Sequence, residues 1–359
     1  MSQDSAAPSA ASAPPGPVSA AHRFDEARLD RWMAANVPGY GGDLIVSQFA
    51  GGASNPTFLL TSAGHRYVLR KKPPGVLLSS AHQVDREYRV MAALRYTAVP
   101  VPVMRGLCDD PDVIGTGFYV MDYLEGRIFR DARLPGVSPA DRAAIYDQLN
   151  EVLAALHAVD WQAVGLEGYG RPGNYFERQI ARWTRQYRDT PLPPVPAMET
   201  LIEQLPRHIP SDNSVTIAHG DYRLENVMFH PTEPRLIAVL DWELSTIGHP
   251  LADLAYSAFL WHSDKVSWGT LDGVDFATSG IPTEQQWVDT YRARTGRGPI
   301  EGWNFLMAFS VFRLASISHG VHARGLAGTT PIAQAAGAAS ENAAPHLAEM
   351  ALALLHRPA

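Results

Sequence analysis

Asp221, Asn226 and Asp241 carry the strongest chemical signal in this chain. The first two stand in the run TIAHGDYRLENVM, residues 216–228, and the third closes the apolar run LIAVLD, residues 236–241. Two carboxylates and an amide, gathered by a strand, a loop and a second strand, form a set of hard oxygen donors. Such a set suits Mg2+, which takes oxygen ligands and accompanies phosphate groups. A carboxylate left over can orient a hydroxyl group and accept its proton. An Asp–Asn pair alone is a common surface loop; the apolar strand ending on a second Asp is what makes the pattern specific.

The separation of Asp221 and Asn226 is that of the D-x-x-x-x-N loop used in phosphoryl transfer, and Asp241 falls where a metal-binding Asp follows that loop. With HGDYRLENVMF and VLDWELSTIGHPLADLAY, the chain resembles the aminoglycoside phosphotransferase/choline kinase family, a branch of the protein-kinase-like fold. The resemblance spans nearly all the foldable chain. It implies ATP as phosphoryl donor, Asp221 as catalytic base, and Asn226 and Asp241 as Mg2+ ligands. It casts His219 and Asp253 as supports of the loop, and the run MDYL as the link between lobes. There the Asp122 carbonyl and the Leu124 N–H would meet the adenine edge.

These residues need elements to position them. Leu29, Trp32, Met33 and Val37 have helical spacing. Three β-rich runs, 44–49, 57–61 and 66–70, predict an antiparallel meander. Residues 79–95 predict a helix with Val84, Tyr88, Met91 and Leu94 on one face, and further strands are expected at Val99–Val103 and Gly117–Tyr123. From Ser138 onward the periodicity is mainly helical. The expected fold is α+β and two-lobed. Residues 23–124 form a small antiparallel-sheet lobe with one main helix, residues 125–359 form a larger helical lobe, and Gly126 marks the joint.

Within the small lobe, FAGGASNPT joins the first two strands. Gly51 and Gly52 let backbone N–H groups approach phosphate oxygens, and Ser54 and Asn55 add side-chain donors. A cation on the third strand is expected to pair with Glu87 of the helix and reach the phosphates. The resemblance places Arg70 at that position, and Lys72 shares its strand face by period two, so both are candidates.

Composition narrows the class. The chain has 359 residues and a net charge of −7, which opposes a nucleic-acid backbone as the main partner. One cysteine, Cys108, excludes an intramolecular disulfide. No apolar run is long enough to span a membrane. Residues 1–22, rich in Ala, Ser and Pro, lack a secretory pattern and read as a disordered tail; a cytoplasmic protein is expected.

The helical lobe sets the acceptor. Aminoglycosides are polycations and call for carboxylates, whereas residues 302–359 hold only Glu341 and Glu349 as acids. Arg313 and Arg324 share one helical face with Gly320, either meeting an anionic group or lying in solvent. FAGGASNPTFLL, YVLRKKPPG and LLSSAHQVDREYRVMAAL bring the resemblance closer to the kinase domain joined to acyl-CoA dehydrogenases of families ten and eleven, and to its stand-alone bacterial relatives. That subgroup implies a 4-hydroxyacyl-CoA acceptor and a separate acyl-CoA dehydrogenase-like enzyme for the next step. The rivals are an aminoglycoside O-phosphotransferase and a nucleotide-binding pseudokinase; the presence of Asp221, Asn226 and Asp241 opposes the second.

Overall fold

A computed structural model describes residues 14–49, 55–73, 84–264, 269–327 and 342–358. The small lobe opens with α1 (Glu26–Asn36), whose N-cap Asp25 accepts from the Arg28 N–H. Strands β1 (Ile45–Gln48), β2 (Thr57–Ser62), β3 (His65–Lys71), β4 (Met104–Cys108) and β5 (Phe118–Asp122) then form an antiparallel sheet in the order β1-β2-β3-β5-β4. Alternation divides its faces. Phe58, Leu60, Leu69, Phe118 and Val120 pack with Leu29 and Met33 of α1. Arg70 and Tyr119, paired across β3 and β5, point to the opposite face, towards α2 (Val84–Leu94).

Two expectations are corrected here. Val99–Val103 is not a strand, because Pro100 and Pro102 have no N–H to give a ladder and β4 begins only at Met104. The run is used through its carbonyls instead: Val239 donates to Pro100 at 2.8 Å and Asp122 to Val103 at 2.9 Å. The tail reading fails for residues 14–22. Gly16 and Gln48 exchange backbone hydrogen bonds at 2.9 and 2.8 Å, and Lys71 Nζ donates to the His22 carbonyl at 3.1 Å. A free edge of β1 recruits this segment despite its composition. Residues 1–13 and the predicted helix start at 79–83 lie outside the described residues.

The helical lobe contains α4 (Pro139–Ala158), α5 (Tyr175–Arg188), α6 (Pro196–Gln204), α7 (Pro250–Ser257), α8 (Glu284–Thr295), α9 (Trp303–Leu326) and α10 (Ala344–Leu355); a single short turn, α3 (Pro111–Ile114), belongs to the small lobe. α9 is buried on most of its surface, with Phe305, Phe309 and Phe312 inside the core. Two small two-stranded sheets carry the chemistry-bearing residues. β6 (Thr216–Ala218) pairs with β9 (Thr246–Gly248), and β7 (Val227–Phe229) pairs with β8 (Leu236–Val239). The chain enters this lobe at Gly126, where a Cβ would lie 2.5 Å from the Phe229 carbonyl, so only glycine lets Arg127 bridge to β7. No helix among the described residues is long and apolar enough to cross a membrane.

Candidate active site

The loop between β6 and β7 is held from beneath. Asp253, buried on α7, accepts the His219 N–H at 2.6 Å and the Gly220 N–H at 2.8 Å, while His157 Nε2 lies 3.4 Å away. Burial alone would raise this carboxyl; His157, His219 and the Gly220 N–H outweigh it and hold Asp253 below the usual carboxylate range. His219 donates or accepts at two further points, Nε2 to the Leu240 carbonyl at 2.9 Å and Nδ1 from the Asp221 N–H at 3.2 Å. Its ring packs 4.7 Å from Trp242. His219 and Asp253 therefore tie the loop to the strand that delivers Asp241.

Gly220 is the strictest point of the loop. Its φ is +83°, and a Cβ would meet the Leu244 carbonyl oxygen at 2.6 Å. Gly220→Ala is expected to destabilise the fold by about 1–3 kcal/mol through left-handed strain and that clash. Urea unfolding would check it; an unchanged midpoint would contradict this account of the loop.

The loop brings Asp221 and Asn226 together. Asn226 Nδ2 donates to the Asp221 carbonyl at 2.9 Å and to Asp221 Oδ2 at 2.7 Å. Both amide protons are thereby used on Asp221, which leaves Asn226 Oδ1 as the oxygen available to a ligand. Burial, and after it the charge of Asp221, raises the phenol of Tyr256. Arg223 Nε approaches Asp221 Oδ1 at 3.6 Å. Asp241 follows β8 in a left-handed conformation, φ 61° and ψ 60°, which a short polar side chain tolerates.

Arg70 joins the two lobes. Its Nη1 meets Glu87 Oε2 at 2.9 Å, its Nη2 meets Asp241 Oδ1 at 3.0 Å, and Glu243 Oε2 stands at 3.8 Å. Glu87 also accepts from Tyr119 Oη at 3.1 Å and from Asn55 Nδ2 at 3.0 Å. Burial pushes the Glu87 carboxyl up to about 7, against the pull of Arg70. With a guanidinium, a phenol and an amide all donating to it, we describe the pair as ionic. Lys72 instead pairs with Asp85 at 3.3 Å near the surface. Arg70, the residue the resemblance placed there, is thus the strand cation that meets Glu87.

The remaining candidates fall less uniformly. The Asp122 side chain is fixed by Arg105 at 2.6 and 2.7 Å, and the Leu124 N–H has no protein acceptor among the described residues. Gly51, Gly52 and Ser54 lie outside the described residues. Arg313 is not a solvent-facing residue: it is buried, donates to the Gly220 carbonyl and stacks on Tyr256 at 4.7 Å. Arg324 is exposed on the last turn of α9. Sequence reasoning missed Tyr119, Tyr256 and His157. Tyr119 alone had a signal, since strand alternation places it on a single face of β5; the other two reach the site only by helix packing.

Asn226 Oδ1 and the Asp241 carboxylate, with Asp221 beside them, are a hard oxygen set, and this donor chemistry fits Mg2+. Asp241 already carries a cationic neighbour in Arg70. Among the described residues no cluster of three or more His, Cys, Asp or Glu forms a separate metal centre.

Comparison with known proteins agrees with this geometry. The profile of the phosphotransferase enzyme family matches residues 45–306. Acyl-CoA dehydrogenase family member 10 of Mus musculus is 46% identical over 308 residues, covering 84% of this chain and 29% of that protein. Acyl-CoA dehydrogenase family member 11 of Homo sapiens is 45% identical over 313 residues, covering 86% and 40%. The chain thus spans less than half the length of these curated relatives. A crystal structure from Ralstonia eutropha JMP134, of a protein named for the aminoglycoside phosphotransferases, is 49% identical with a TM-score of 0.83, covering 93% of this chain and 98% of that one. An aminoglycoside phosphotransferase bound to ADP and hygromycin B shares the fold, at a TM-score of 0.58 and 14% identity, covering 91% and 97%. The kinase-like α+β fold, the match over residues 45–306 and these identities establish that the chain belongs to the phosphotransferase enzyme family and is a phosphotransferase.

Proposed function

We propose that this phosphotransferase uses Mg-ATP to phosphorylate the hydroxyl group of a 4-hydroxyacyl-CoA. The observation that carries the donor half is the meeting of Arg70, Glu87 and Asp241 across the lobes, directly beside the Asp221–Asn226 loop. The donor supplies the γ-phosphoryl group, and the cation offsets charge on its oxygens. Asn226 Oδ1 and the Asp241 carboxylate would hold the cation, with Arg70 orienting the phosphates and Glu87 orienting Arg70. The Leu124 N–H offers a backbone donor to the adenine edge. Asp221 accepts the hydroxyl proton at its carboxylate and aims the acceptor oxygen in line, so the chemistry is positioning and charge placement without a covalent enzyme intermediate.

The acceptor rests on likeness to the acyl-CoA dehydrogenase family 10 and 11 proteins at about 45% identity, supported by α9, which carries no acid. A polycation would find no carboxylate on that helix. On this reading the phosphate becomes a leaving group for a separate acyl-CoA dehydrogenase-like enzyme. ADP release should be measured with 3- and 4-hydroxyacyl-CoAs beside kanamycin and choline. Release with the 4-hydroxyacyl-CoA is expected; release with kanamycin alone would assign the chain to the antibiotic kinases, and binding of nucleotide without release would assign it to the pseudokinases.

A further inference from the structure

The seam between α5 and α9 is basic on both sides. α5 bears Arg178, Arg182, Arg185 and Arg188 against the single acid Glu177, and α9 bears Arg313 and Arg324 with no acid. Arg178 donates to the Gly173 and Arg171 carbonyls, and Arg188 pairs with Glu199 at 2.6 Å.

Arg182 and Arg313 behave differently. Both guanidinium groups flank the indole of Trp183, at 5.1 and 5.9 Å from its ring. Arg313 is 4% exposed and donates to the carbonyl of Gly220, the residue before Asp221. Its Nε has no partner, and neither has Nε1 of the buried Trp183. Arg182 and Arg185, exposed on α5, make no hydrogen bond or ion pair among the described residues. Arg182 also lies in the field of Arg313, Arg185 and Arg86. The neighbouring acids are already committed, Asp253 to the loop amides and Asp221 to Asn226. The positive charge of Arg182, Arg185 and Arg313, beside the catalytic loop and with no paired carboxylate among the described residues, repels itself and attracts anions.

We infer that the α5–α9 seam is the subsite for the anionic part of the acceptor. Arg313 stands at the end nearest the reacting hydroxyl, and Arg182 and Arg185 hold the phosphate-bearing arm. The span supports an elongated acceptor. Arg313 and Arg324 share a face of α9 eleven residues apart, which at the helical rise is about 16 Å. A compact aminosugar has neither that length nor that charge. The inference rests on the CoA-thioester reading above and adds to it the residues that select the substrate.

The test is equilibrium binding of 4-hydroxybutanoyl-CoA to the full chain, with ADP saturating so that the adenine part of the thioester has no access to the nucleotide cleft. Arg182→Glu and Arg185→Glu are each expected to raise Kd by about tenfold or more. KM should rise in parallel while kcat stays within about twofold, and the salt dependence of binding should flatten. Arg182→Lys should keep most of the affinity, and the charge-matched control Arg95→Glu, on the small lobe, should change nothing. If the wild-type protein binds the thioester and both Glu variants bind it equally well, the seam is not the subsite and the CoA reading stands. If the wild-type protein neither binds nor phosphorylates the thioester, the CoA reading fails and the subsite assignment fails with it.

Discussion

Asp221→Asn is expected to lower kcat by about 10²–10⁴-fold, the range lost when a positioned proton acceptor is removed. The substitution keeps the shape and leaves an oxygen to receive the Asn226 amide, which donates to Asp221 at 2.9 and 2.7 Å. The loop is tied down independently through His219 and Gly220, so the melting temperature and ADP affinity should stay near wild type. What the amide cannot do is take the hydroxyl proton. ADP release at saturating acceptor, with thermal melting and ADP titration as controls, reads the effect. Turnover above about a tenth of wild type would remove Asp221 from the role of base.

Asp253→Ala should be the most damaging single change to the fold around the site. It strips the acceptor from two buried backbone N–H groups, those of His219 and Gly220, and each such orphan costs about 1–3 kcal/mol. A loss of that size is a large share of ordinary protein stability. Asp253→Asn keeps one oxygen acceptor and serves as the variant that folds, with reduced kcat from a misplaced loop. The pH dependence follows from the same contacts. The Asp253 carboxyl is held below its ordinary value of 3.8 in the folded state, so it stabilises the fold fully above that value. The contribution is lost as pH falls through the folded-state pKa. Urea unfolding should show a clear gap between wild type and Asp253→Asn at neutral pH that narrows in acid. A gap independent of pH would show that the charge is not what the loop uses.

Recognition of the site worked where its geometry is local. Asp221 and Asn226 are five positions apart and Asp241 ends the next hairpin, so a loop and two strands are enough to bring them together. The same holds for the sheet, whose period-two pattern puts Leu69 and Arg70 on opposite faces. The strand misread at Val99–Val103 failed because β-forming side chains alternate there with prolines, and backbone donors outrank side-chain preference. The tail misread at 14–22 failed because an open strand edge supplies hydrogen bonds that composition does not reveal.

The sequence by itself determined the chemistry. An H-G-D-x-x-x-x-N loop and an apolar strand ending in Asp specify oxygen ligands and a proton acceptor wherever a hairpin can form. The tertiary structure decided which cation serves them and what surrounds them. Arg70 and Asp241 are 171 positions apart, and both arginine and lysine on the strand satisfy the local pattern; only the docking of α2 and of the helical lobe gives Glu87 and Asp241 to Arg70. Burial likewise took Arg313 out of solvent and set it beneath Gly220, since a helical repeat specifies a face but not what that face is packed against.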